Sequence, residues 1–114
     1  NIDGEAGSKA VCRAALQVAM EMFELIHKSK KMRPSYHTYL LFFTVCHKVS
    51  TGREHEQLVE MAFKLCIANG LLDPRTFRNL NSNLPRPLLR RLFGRGGRIS
   101  FKQLPKEWSE RITN

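Results

Sequence analysis

The sequence predicts an all-α fold: antiparallel helical hairpins of an α-solenoid, closed by a short-helix C-terminal cap. Three observations predict it. Apolar residues recur at spacings of three and four along most of the chain. Prolines and glycines fall at the ends of these periodic segments, where helices stop and start. The chain also resembles itself at an offset near 40, with Val18, Phe23, Leu25, Ile26 and Pro34 mapping onto Leu58, Phe63, Leu65, Cys66 and Pro74. Thr38-Tyr39 then maps onto Thr76-Phe77 at an offset of 38. Each copy reads helix, loop, proline, next helix. Such a period marks stacked helical hairpins, each burying a face against the next.

The elements follow in order. Residues 1–7 carry two glycines and little apolar content, and read as a flexible lead-in. Residues 8–82 read as the helical repeat segment and 83–114 as a basic C-terminal cap. A first helix is expected from about Ser8 to Ser29, with Val11, Ala15, Val18, Met22, Leu25 and Ile26 as its inner stripe. Lys28, Lys30 and Lys31 suit the negative end of its dipole, and Pro34 prevents its continuation. Ser35 can cap a second helix over 36–49, with Tyr39, Phe42 or Phe43, Cys46 and Val49 inward. This helix is apolar nearly all round and should lie between neighbours.

Thr51-Gly-Arg-Glu54 matches a capping box and opens a third helix over about 52–69. Leu58, Met61, Ala62, Leu65 and Cys66 form its stripe, and Asn69-Gly70 is its stop. Asp73-Pro74 reads as an N-cap with proline at the first helical position, opening a short helix over 74–82 with Phe77 and Leu80 inward. A further short helix is expected over 86–93, ending at Gly94. Gly94-Arg-Gly-Gly-Arg98 reads as a loop, Ile99–Phe101 as an extended segment, and Pro105 as the start of a last turn or two. Trp108 should anchor that tail to the body.

Charge bears on partners. The 114 residues hold 19 Lys and Arg against 10 Asp and Glu, a net of +9. Residues 1–70 contribute +2 and residues 71–114 contribute +7. A module this basic points to a polyanion, with nucleic acid the commonest; a solvated basic surface or an arm on a protein partner are the alternatives. Arg86, Arg90, Arg91, Arg95, Arg98 and Lys102 form the sharpest cluster, since phosphate contacts use long cations and do not read sequence. Arg90 and Arg91 can equally pair with Glu107 or Glu110 and dock the tail. No apolar run reaches the length of a membrane span.

Other chemistries find little support. The odd count of Cys12, Cys46 and Cys66 is no disulfide framework, and each reads as a small buried hydrophobe in a reducing compartment. His27, His37, His47 and His55 show no chelating spacing, so no metal or other cofactor is expected. There is no phosphate-binding loop, nucleophile elbow or His-Glu-x-x-His, and the chain is not expected to be an enzyme.

A family resemblance rests on Pro34-Ser-Tyr-His-Thr-Tyr39, a helix, Gly52, and a second helix reaching Gly70. It rests further on Ala62-Phe-Lys-Leu-Cys66, Leu84-Pro85, Leu92-Phe-Gly94 and Leu104-Pro-Lys-Glu-Trp-Ser109. These resemble one pentatricopeptide repeat followed by the C-terminal module of a pentatricopeptide-repeat-like group of diatoms and related algae. The resemblance covers nearly the whole chain. It implies plastid or mitochondrial residence and single-stranded RNA as ligand, one base per repeat. It places the base-facing position at Leu40, where family members usually carry a small polar residue able to hydrogen-bond a base, and its readout partner at Asp73. The expected RNA surface is therefore His37, Leu40, Thr44, Lys48 and Asp73 together with the arginine cluster. The alternative is a protein-interaction or capping module, such as a small subunit of an organellar complex; terminal repeats often cover the end of a stack.

Overall fold

The structure, a computed structural model, describes residues 2–94 and 99–112, with side-chain environments from Ala10 onward. Five α-helices make up the body: α1 (Ile2–Lys28), α2 (Tyr36–Val49), α3 (Gly52–Ala68), α4 (Pro74–Asn83) and α5 (Arg86–Phe93). Two short 3-10 turns follow, Phe101–Gln103 and Lys106–Ser109. There is no strand among the described residues, so the chain is all-helical. The segment at 99–101 is not an extended strand: Ser100 accepts the amide of Gln103 and starts a 3-10 turn.

Local signals place most boundaries. Ser35 is the N-cap residue of α2, and the Thr38 hydroxyl accepts the Ser35 amide at 3.1 Å. Asp73 caps α4 by accepting the Thr76 amide at 2.9 Å, with Pro74 in the first turn. Gly94 ends α5 in the left-handed region at φ 76°. Thr51 sits at the N-cap of α3, but its side chain makes no capping hydrogen bond, so the expected box is not formed. The first helix differs most. α1 begins at Ile2 and takes in the segment read as a lead-in. Ala6, Ala10, Ala14 and Ala15 are the best helix formers, and Gly4 and Gly7 cost only about 1 kcal/mol each against alanine.

Packing centres on α2. It lies against α1, α3 and α4, while α5 and the 106–109 turn lie on α3. This fits a helix apolar on nearly every side. Tyr39, Phe42, Phe43 and Cys46 are buried on it, as expected. Phe23 of α1 stacks on Phe42 with ring centroids 4.3 Å apart and meets Tyr39 edge-on at 5.7 Å. A second aromatic cluster closes the other end. Phe63 meets Phe93 and Trp108 edge-on at 5.4 and 5.5 Å, and Phe77 meets Phe93 at 5.3 Å. Such pairs contribute about 0.5–1.5 kcal/mol each beyond the area they bury. Trp108 thus anchors the tail as expected, and its carbonyl accepts the Leu72 amide at 2.8 Å.

The inner face of α1 is not the expected one. Leu16 and Phe23 are buried, with Cys12, Ala19 and Met20 half-buried beside them. Val18, Met22 and Leu25 are 54, 59 and 61% exposed. α1 carries two neighbouring apolar stripes, and α2 covers only one. On α3, Met61 of the expected stripe is exposed, whereas Val59 and Phe63 are buried.

Candidate functional site

The residues expected to meet RNA fall into four groups. Arg86 and Arg90 are exposed and one helical turn apart on α5, so they share a face. With exposed Lys102 they have no carboxylate partner among the described residues. Arg95 and Arg98 lie outside the described residues. His37 and Lys48 are exposed on α2, and the His37 ring packs on Tyr36 with centroids 4.0 Å apart.

Three residues are occupied by structural work instead. Asp73 is only 5% exposed, and one of its oxygens accepts both the amide and the hydroxyl of Thr76. That oxygen serves the α4 cap. Thr44 donates its hydroxyl to the Leu40 carbonyl at 2.7 Å and accepts from Asn79 at 3.4 Å. Leu40 is half-buried and offers no polar side-chain atom. Arg91 donates to Glu60 of α3 at 2.6 Å rather than pairing with Glu107 or Glu110. It pins α5 to α3, not the tail.

Two polar networks were not legible from spacing. In the first, His47 Nδ1 lies 2.8 Å from His55 Nε2, and His47 Nε2 lies 2.8 Å from Asn79 Oδ1. This joins α2, α3 and α4. Burial pushes both histidine pKa values below the ordinary imidazole range, with Asn79 opposing this at His47 and Glu56 at His55. In the second, the Tyr39 hydroxyl accepts from Asn69 at 3.0 Å and meets His27 Nε2 at 2.7 Å, while His27 Nδ1 meets the Phe23 carbonyl at 2.7 Å. Burial pushes Tyr39 up to about 12. Among the described residues no three His, Cys, Asp or Glu gather in a group that could hold a metal ion. Cys46 and Cys66 are buried free thiols, raised by burial, Cys46 to about 12; this makes them poor nucleophiles.

Two hollows flank these networks. An apolar groove of about 380 Å³ runs between α1 and α2, lined by Met22, Ile26, His37, Leu41, Phe42 and Val45 among others. A more polar cavity of about 590 Å³ lies where the end of α1, the 29–35 connection, the end of α3 and the tail meet. Arg33 and Arg111 both line it, although they come from distant parts of the chain, and no sequence spacing could have linked them.

No protein-family model, curated protein or solved structure matches the chain. No helix among the described residues is long and apolar enough to cross a membrane.

Proposed function

We propose that the chain is a helical-repeat module of an organellar RNA-processing or RNA-stabilising protein, and that it binds single-stranded RNA mainly through phosphate contacts. The observation that carries this reading is the exposed set Arg86, Arg90 and Lys102, with no carboxylate partner among the described residues, in a module of net charge +7. Long cations on a rigid helix contact phosphates without reading bases. The packing of α2 on both α3 and α4 supports stacking of the repeat units in a solenoid-like way. A half-buried Leu40, an engaged Thr44 and a capping Asp73 support backbone contact over base readout. The plastid or mitochondrial setting rests on the resemblance to pentatricopeptide-repeat proteins. Titrating labelled single-stranded RNA at rising salt tests the reading. Affinity should fall log-linearly, with a slope of about 0.7 per phosphate contacted. Absence of binding at low salt sinks it.

A specific observation favours a second reading, a protein-interaction module. Val18, Met22, Leu25 and Leu41 form an exposed apolar strip beside the α1–α2 groove. The repeat equivalents of Val18 and Leu25 are Leu58 and Leu65, which are buried and half-buried on α3 beneath the body of the fold. An unpartnered strip of this kind marks an interaction surface. Light scattering of wild type against Met22→Glu bears on it: a monodisperse monomer in both counts against self-association through this strip.

A further inference from the structure

We infer that the cavity between Arg33 and Arg111 is a binding site for a nucleoside-monophosphate unit, either a free nucleotide or the terminal nucleotide of a strand. The inference deepens the RNA reading and rests on it for the strand form only. The cavity, at about 590 Å³, is within the range of small-molecule pockets and larger than an inorganic anion needs.

Backbone hydrogen bonds hold the segments that carry both arginines. The Ser29 hydroxyl oxygen accepts the amides of Lys31 and Met32 at 3.1 and 3.0 Å, which fixes the turn that delivers Arg33. The Arg111 amide donates to the Gly70 carbonyl at 3.0 Å, which fixes the tail. Gly70 itself lies at φ 67°, so close beneath the tail that a Cβ there would meet Glu110 Cγ at 3.1 Å. Arg33 and Arg111 therefore line one cavity from two fixed backbone segments. Neither has a carboxylate partner among the described residues.

The surroundings reinforce the sign. Lys30 and Lys31 are exposed on the same connection. Of the nearby acids, Glu24 pairs with Lys28 at 3.8 Å, and Glu110 packs over Gly70. Arginine matches phosphate oxygens with a planar fork of donors. The rest of the lining suits a nucleoside. Pro34 and Leu71 supply apolar walls for a flat ring. Asn69 spends its amide hydrogens on Tyr39 and the Leu65 carbonyl, leaving Oδ1 as an acceptor for a base or sugar donor.

The test is a titration of the whole chain with uridine monophosphate, uridine, inorganic phosphate and a 5′-phosphorylated oligouridylate, followed by amide chemical shifts. The monophosphate or the phosphorylated strand should shift amides at 29–34, 69–71 and 111, and uridine should not. Arg33→Ala with Arg111→Ala should weaken that binding at least tenfold; both side chains are exposed, and circular dichroism verifies that the helices persist. Arg53→Ala, exposed at the far end of α3 from the cavity, should leave it unchanged. The inference is overturned if neither phosphorylated probe shifts these amides at millimolar concentration, or if the double variant binds as wild type. RNA binding that shifts none of these amides overturns the pocket but keeps the RNA reading. Binding of free nucleotide without RNA binding does the reverse.

Discussion

His47 Nδ1 sits 2.8 Å from His55 Nε2 and can accept a hydrogen bond there only while His47 is neutral. Its other nitrogen faces Asn79 Oδ1, an acceptor, so the network assigns His47 the Nε2–H tautomer and His55 the donating Nε2–H. A proton on His47 Nδ1 would point one N–H at another.

A pH dependence follows. Both pKa values are depressed in the folded chain, so the unfolded chain binds more protons below about pH 6.5. The stabilisation is fully present above the unfolded value and is lost as pH falls through the folded values. Urea midpoints should be level from pH 8 to 7 and drop towards pH 5. His47→Asn should flatten the drop, and an unchanged drop in that variant would remove the network as its cause.

Trp108→Ala should destabilise by about 3 kcal/mol, near the low end for truncating a packed aromatic because the ring is only half-buried. The loss falls on the contacts to Phe63 and Phe93. Trp108 is the sole tryptophan, so circular dichroism, not fluorescence, is the measurement. A change under about 1 kcal/mol would show that the tail is not anchored there.

Gly70→Ala and Gly94→Ala make a matched pair. Both glycines have positive φ, 67° and 76°, where alanine costs about 1–2 kcal/mol. A Cβ at Gly94 would meet no described atom within 4 Å, whereas one at Gly70 would meet Arg111 N and Glu107 O at 3.2 Å. Thermal unfolding should therefore rank Gly70→Ala as the more damaging. Equal losses would argue against the close approach of the tail.

Asp73→Ala should cost about 1–2 kcal/mol, the loss of an N-cap that also satisfies the buried Thr76 hydroxyl. RNA affinity, measured well below the melting temperature, should be unchanged. A base-dependent change in affinity would return Asp73 to the readout surface.

Arg90→Ala should weaken RNA binding about equally for all sequences and reduce the salt slope by about 0.7 for one phosphate lost. Arg91→Ala should act differently, since its partner is Glu60. It should shift stability by less than about 1 kcal/mol, as expected for an exposed pair, with a smaller effect on RNA affinity.

The sequence by itself determined the all-helical class and nearly every boundary of α2 to α5. Those boundaries depend on local chemistry: Ser35 and Asp73 at caps, Pro74 in a first turn, Gly70 and Gly94 in the left-handed region. Only the tertiary structure decided which surfaces are used. α1 has two apolar stripes of the same period, and periodicity cannot say which one α2 will cover; the one read as inner lies outside. Thr44 looks like a free polar group in sequence and is engaged in the fold by the Leu40 carbonyl and by Asn79 of α4. His47, His55 and Asn79, and likewise Arg33 and Arg111, show no spacing that joins them. Hydrogen bonding and charge act over a few ångströms, and only the packing of α2 to α4 and of the tail on Gly70 brings these residues within that range.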